Sequence, residues 1–207
     1  MRLYNLVPTD NRYNDWLFWY VDEGGYVRPR QFYADLVCGL CGKLDEVAAI
    51  NRGIDPSVTI KSKRDFIEMS DGIMIVSQHA KDVITGEGIK GLRYIPLPDK
   101  KHFVPWPELR VKTDPSKAGF EYVGPRCGRC GRYREACVGP FAVSLTVPDD
   151  PMVVFASEIW NENRRGRVLW LFAQEPVAKA LKLKRLTGLE VIKATGSSPD
   201  DQPLHSG

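Results

Sequence analysis

Histidine is scarce in this 207-residue chain, with three copies, and no H-E-x-x-H pair, Walker A segment or G-x-S-x-G elbow is present. Nothing positive therefore argues for catalysis, and the chain reads as a non-enzyme. Long apolar runs are missing too. The longest are six residues, Trp16 to Val21 and Val168 to Ala173, against about 20 for a spanning helix, so no membrane helix is expected. Residues Met1 to Pro8 lack the apolar stretch of roughly 7–15 residues and the small-residue cleavage site of a secretory signal, which points to the cytoplasm. Charge excess is the third absence: 29 Lys and Arg stand against 26 Asp and Glu, a net charge of +3. So even a balance makes nucleic acid an unlikely main partner.

What is present is enough apolar material for a core. The apolar class makes up 43% of the chain, a globular composition that excludes disorder as the main state. At roughly 150 residues per domain, the length fits one compact domain or two small, closely joined halves.

Four of the five cysteines form two copies of one pattern, Cys38-Gly39-Leu40-Cys41-Gly42 and Cys127-Gly128-Arg129-Cys130-Gly131. Two thiolates two residues apart can bind one metal ion if the chain turns tightly between them. The glycines ease that turn and can take φ > 0 just after it. Two such knuckles supply the four sulfurs of a tetrahedral zinc site, with Zn–S about 2.3 Å. Eighty-five residues separate Cys41 from Cys127, far more than the roughly 15–20 of a local zinc ribbon. The site is therefore expected to join distant parts of the chain. Disulfides within each pair are disfavoured by a reducing compartment, and neither pair sits at an expected helix start, as a thioredoxin-like redox pair would. Four protein sulfurs leave no open position, so one structural zinc per chain is expected, held by Cys38, Cys41, Cys127 and Cys130. Cys137 reads as a small buried hydrophobe.

Along the chain, Arg2 to Val7 and Trp16 to Val21 read as strands, with shorter candidates at Ser57 to Ile60, Asp65 to Glu68 and Ile73 to Val76. The text from Ile73 then recurs from Val168: a strand, a helix-like stretch (His79 to Thr85, then Pro176 to Lys184), a Gly-Leu step and another strand (Arg93 to Leu97, then Glu190 to Lys193). Gly91 and Gly188 are 97 positions apart. Two related halves follow, residues 1–97 and 98–194, each contributing one Cys pair, with the polar, Pro-bearing residues 195–207 read as a disordered tail. Further strands are expected at Glu108 to Lys112, Ala142 to Val147 and Met152 to Ala156. The architecture implied is α+β, mostly antiparallel, with two short helices and the two pseudo-repeated halves joined by the zinc site.

Gly86-Glu87-Gly88-Ile89-Lys90-Gly91 satisfies G-x-G-x-x-G, but it follows a helix and precedes a strand, the reverse of a dinucleotide fingerprint. It reads as a helix stop. His79, His102 and His205 are scattered and read as surface residues. Arg126, Arg129, Arg132 and Arg134 bracket the second knuckle, where they could offset the charge of a zinc tetrathiolate, meet an acidic protein surface or hold phosphates. Lys179, Lys182 and Arg185 recur every three residues and read as a solvated helix face.

The start Met1-Arg2-Leu3-Tyr4, the two Cys-x-x-Cys-Gly copies and the closing strand-helix-Leu-Thr-Gly-Leu-strand around Ala173 to Val191 together resemble the myxobacterial double-CXXCG motif family, over about residues 1–194. That resemblance implies an immunity protein that binds and neutralises a cognate polymorphic toxin, with Cys38, Cys41, Cys127 and Cys130 as metal ligands and no interface residue named. The alternative function is a zinc-containing nucleic-acid-binding or regulatory protein that uses the Arg126 to Arg134 cluster.

Overall fold

The computed structural model describes residues 2–9, 11–12, 16–112, 120–138, 145–157, 161–162, 167–168 and 170–194, without the side chains of 11–12, 120–123, 134–138, 161–162 and 167–168. The expected tail, His205, the side chains of Arg134 and Cys137, and most of the strand expected from Ala142 lie outside those residues. Strands β1 (Leu3–Pro8), β2 (Asn11–Arg12), β3 (Trp19–Val21) and β4 (Val27–Pro29) lead into a 3-10 turn at Gln31–Leu36 and helix α1 (Glu46–Arg52). Then come β5 (Phe66–Met69), β6 (Met74–Ser77), α2 (Gln78–Gly86) and β7 (Leu92–Pro96). The remainder runs β8 (His102–Pro107), β9 (Arg110–Val111), β10 (Phe120–Arg126), β11 (Tyr133–Val138), β12 (Val154–Ser157), β13 (Asn161–Glu162), β14 (Arg167–Val168), β15 (Leu171–Gln174), α3 (Glu175–Leu183) and β16 (Leu189–Lys193). The protein is α+β and mostly antiparallel, with the two expected helices, α2 and α3, joined by α1 and the 3-10 turn.

The helices start and stop for local reasons. At α2 the Ser77 hydroxyl accepts the Ala80 N–H at 3.0 Å, and Ala80 and Ile84, four residues apart, make the buried face. At α3 a proline occupies the first turn, and Val177, Ala178 and Leu181 are buried. Helix α1 is capped by Asp45, which accepts the Ala48 N–H at 3.0 Å. The expected strand at Trp16 to Val21 is paired only from Trp19 onward, because Leu17 and Phe18 turn inward and donate their N–H groups to the buried Asp71 carboxylate at 3.1 and 2.8 Å. No strand forms at Ser57 to Ile60, where Ser57 is held in a turn by the Asp55 carboxylate.

Two five-stranded sheets carry the fold, ordered β2-β5-β6-β8-β7 and β16-β1-β15-β12-β9. They share one plan. In each, a short edge strand pairs in parallel with its neighbour, Asn11 opposite Glu68 in one and Arg110 opposite Ala156 in the other. In each, the strand before the helix lies between two antiparallel partners: Val76 faces Phe66 and Phe103, while Ala173 faces Val154 and Tyr4. The correspondence makes β1 the counterpart of β8, yet β1 sits in the sheet built otherwise from β9 to β16, and β8 sits in the sheet built otherwise from β2 to β7. The halves exchange their first strands.

The central apolar cluster draws on both sheets and both longer helices, including Leu6, Phe66, Ile84, Phe103, Ala173 and Leu181. A second cluster lies under the 3-10 turn and α1, around Phe18, Tyr33, Leu44 and Ile50. The sheets lock together at Gly91 and Gly188, with φ of 86° and 76°; a Cβ at either would lie 2.2 Å from a carbonyl oxygen of the opposite sheet, that of Val154 or Phe66. Only glycine permits that approach.

Candidate metal centre

Both knuckles are built by the same backbone hydrogen bonds. The Cys38 N–H donates to Lys43 O and the Gly42 N–H to Cys38 O, each at 2.8 Å; the Cys127 N–H donates to Arg132 O at 2.7 Å and the Gly131 N–H to Cys127 O at 2.9 Å. Gly42 and Gly131 close the turns at φ of 73° and 72°. The first knuckle lies between β2 and β5, and the second interrupts the hairpin of β10 and β11 between β9 and β12, so each is inserted at the same point of its half.

The four Sγ atoms of Cys38, Cys41, Cys127 and Cys130 lie within 4.8 Å of one another. Two contacts cross between the knuckles, Cys38 to Cys127 at 3.9 Å and Cys41 to Cys130 at 3.5 Å. A tetrahedron with metal–sulfur bonds of about 2.3 Å has edges of about 3.8 Å, so the donor set fits one four-coordinate ion. No such pair is a disulfide. The knuckle N–H groups favour charge on the first sulfur of each turn. Those of Cys41 and Leu40 lower the Cys38 thiol to about 6, and those of Cys130 and Arg129 lower Cys127. Burial, then hydrogen bonds shared with the other three sulfurs, push Cys41 up to about 12. Charging all four sulfurs together calls for a cation among them, which is the chemistry of a metal site.

The arginines around the second knuckle have separate tasks. Arg126 Nε donates to Gly131 O of its own turn at 2.5 Å. The Arg129 guanidinium packs over Gly39 of the other knuckle, 3.0 Å from where a Cβ would stand. Arg132 reaches across to helix α1, where Nη1 and Nη2 each lie 3.3 Å from Glu46 carboxylate oxygens, and Nη1 also donates to Leu44 O. Two open grooves flank the sulfurs. One, of about 510 Å³, has Leu40, Pro125, Arg126 and Tyr133 in its lining; the other, of about 390 Å³, has Asp35, Asp45, Arg129 and Cys130; Lys43 and Arg132 line both.

Away from the cysteines, Asp65 gathers a serine and a histidine, but not as a nucleophile relay. Ser77 Oγ donates to Asp65 at 2.8 Å while accepting the α2 cap bond, and His79 Nδ1 meets the same Asp65 oxygen at 3.0 Å. No serine-to-histidine bond links them. The Thr187 N–H and hydroxyl both reach the other Asp65 oxygen at 2.9 Å, which makes this a latch between the halves. His79 is at the surface, as expected. His102 is not: it is 8% exposed, with Nδ1 2.6 Å from Asp99, because strand β8 is buried along its length in the sheet it joins. Lys179 pairs with Glu175 at 2.9 Å, and Lys182 lies over the Tyr4 ring. Gly86 is the last residue of α2, and Glu87 to Gly91 lead from it to β7, the helix stop expected of this segment.

The sequence singled out the four cysteines, but not Glu46, whose helix was not expected, nor Lys43. The missed signal was the run Asp45-Glu46-Val47-Ala48-Ala49-Ile50-Asn51-Arg52-Gly53, a capping residue, an apolar face and a terminal glycine. Among the described residues no helix is long and apolar enough to cross a membrane. No protein-family model, curated protein or solved structure matches the chain.

Proposed function

We propose that this chain is an immunity protein, a non-enzymatic cytoplasmic binder that neutralises a cognate polymorphic toxin, on a scaffold stapled by one structural zinc ion. The observation that carries the reading is the convergence of the two Cys-x-x-Cys-Gly turns, the motifs on which the family resemblance rests, into one four-sulfur cluster. Thiolate donors in a tetrahedral set suit zinc, and a site closed by four protein ligands leaves no position for substrate or water. In this role the metal contributes folding free energy and the surrounding surface does the binding.

The nucleic-acid alternative draws less support from the geometry. Arg132 is withdrawn onto Glu46, so that arginine of the cluster is spent inside the fold and not offered to phosphates.

The test is survival of cells that co-express a toxin domain encoded beside this gene with the chain, either intact or as Cys38→Ser with Cys127→Ser. Rescue by the intact form alone supports immunity through a cysteine-built scaffold. No rescue by intact, soluble protein sinks the reading. Metal analysis of the purified, reduced protein should find about one zinc per chain, since four sulfurs fill one tetrahedron.

A further inference from the structure

The two knuckles are held together by more than a metal. Arg132 is the residue just after the second knuckle glycine, and its side chain leaves its own half to end on Glu46, the first residue of α1. Both partners are withdrawn from water, at 8% and 2% side-chain exposure. The same guanidinium donates to Leu44 O, two residues before Glu46 and three after Cys41. So the strut grips the first knuckle where the chain leaves it. Lys43 holds the corresponding place after the first knuckle glycine and is 4% exposed, and the sequence repeats the spacing, Lys43 to Glu46 and Arg132 to Glu135.

An ion pair removed from water is costly to form and is weak support for stability in general. What it does supply is direction: a two-point contact fixes the angle at which one turn meets the other. With it in place, the four sulfurs lie within 4.8 Å of one another. We propose that Glu46 and Arg132 are positioning residues for the metal centre, a strut that presets the second knuckle against the first and thereby sets the affinity for the ion. The proposal rests on the reading of the cysteine cluster as a metal site.

Cobalt(II) is the probe, because tetrathiolate cobalt has an intense sulfur-to-metal absorption that reports both occupancy and geometry. Full-length wild type, Glu46→Gln, Arg132→Gln and the double variant Glu46→Met with Arg132→Met are titrated with cobalt(II) against a chelator of known affinity. The double variant removes both charges of this pair together, so neither Arg132 nor Glu46 is left as a lone buried charge, as happens in each single variant. The expected result is the wild-type tetrathiolate spectrum in the double variant with affinity reduced about 10–100-fold, the usual effect of losing an outer partner of a metal site. Arg52→Gln removes a different ion pair of helix α1, to Asp35 at 2.5 Å, in which Arg132 takes no part; it should leave cobalt affinity at the wild-type value. Unchanged affinity in a folded double variant overturns the strut while leaving the metal site standing. The same holds if Arg52→Gln weakens cobalt binding as much as the double variant. A wild-type protein with no tetrathiolate band overturns the metal reading and the strut with it.

Discussion

Glu87 and Lys184 occupy the same place in the two halves, each closing its helix as the C-cap residue of α2 or α3, and they are paired with each other at 2.5 Å. Positions related by an internal repeat thus meet, and carry opposite charge. Identical halves would have set like charges against each other there. Lys184→Glu is expected to lower stability by about 0.5–1 kcal/mol, a small figure because both side chains are partly exposed and screened. Adding Glu87→Lys should restore it. Urea denaturation at low and high salt checks this, and a salt-independent loss would point to another cause.

A sharper effect is expected where backbone meets backbone. Gly91→Ala and Gly188→Ala each place a Cβ 2.2 Å from a carbonyl oxygen of the opposite sheet, at a φ that disfavours any side chain. Each should cost about 3 kcal/mol or more. The two losses should be similar, since the two contacts correspond. A tolerated substitution at either site, read as an unchanged thermal midpoint, would contradict the locked packing.

The repeat also marks a position ready for improvement. Gly88, at φ of 70°, ends α2, and its counterpart after α3 is Arg185, at φ of 51°. Arg185→Gly should stabilise the protein by about 0.5–1 kcal/mol by relieving a left-handed backbone. Chemical denaturation of the variant would show a shifted midpoint with an unchanged slope.

Two carboxyls set opposite pH trends. Burial opposes charge on Asp65, but bonds from the Thr187 N–H, His79, Ser77 and the Thr187 hydroxyl win and hold it at about 2, below its ordinary 3.8. Its stabilising contribution is complete above 3.8 and is lost as pH falls toward 2. Asp71 runs the other way: full burial raises it to about 6 against the opposing N–H bonds of Phe18 and Leu17. Its contribution is complete below 3.8 and is lost as pH rises to about 6. Asp65→Asn should therefore weaken the protein at neutral pH and flatten its acid limb, whereas Asp71→Asn should remove a decline between pH 4 and 6. Denaturation midpoints measured from about pH 2 to about pH 6 cover both windows and distinguish them.

The parts legible in the sequence are those written locally. The knuckles are spelled out in five residues each, and the strand-helix-strand unit recurs with its glycines 97 apart. What was not legible depends on partners far along the chain. Nothing near Leu3 to Pro8 says that β1 will lie between β15 and β16. Nothing near Arg132 announces Glu46, 86 residues earlier. His102 reads as a surface residue because the three histidines are scattered and none has a ligand or nucleophile at useful spacing, and its burial follows only from β8 joining the other half's sheet. Helix α1 is a different case: its cap and stop were present, but seven residues give too little periodicity to stand out.

The exchange of first strands also sets the order in which the molecule can be made. Tyr4 faces Ala173 on one side and Lys193 on the other, so β1 waits for two strands made about 170 to 190 residues later. At roughly 5–20 residues per second that delay is roughly 10–40 seconds. Throughout it β1 has both edges unpaired, open to wrong partners. The second sheet therefore closes only after β16 has been made, and a nascent chain cut short before that strand leaves β1 with an open edge.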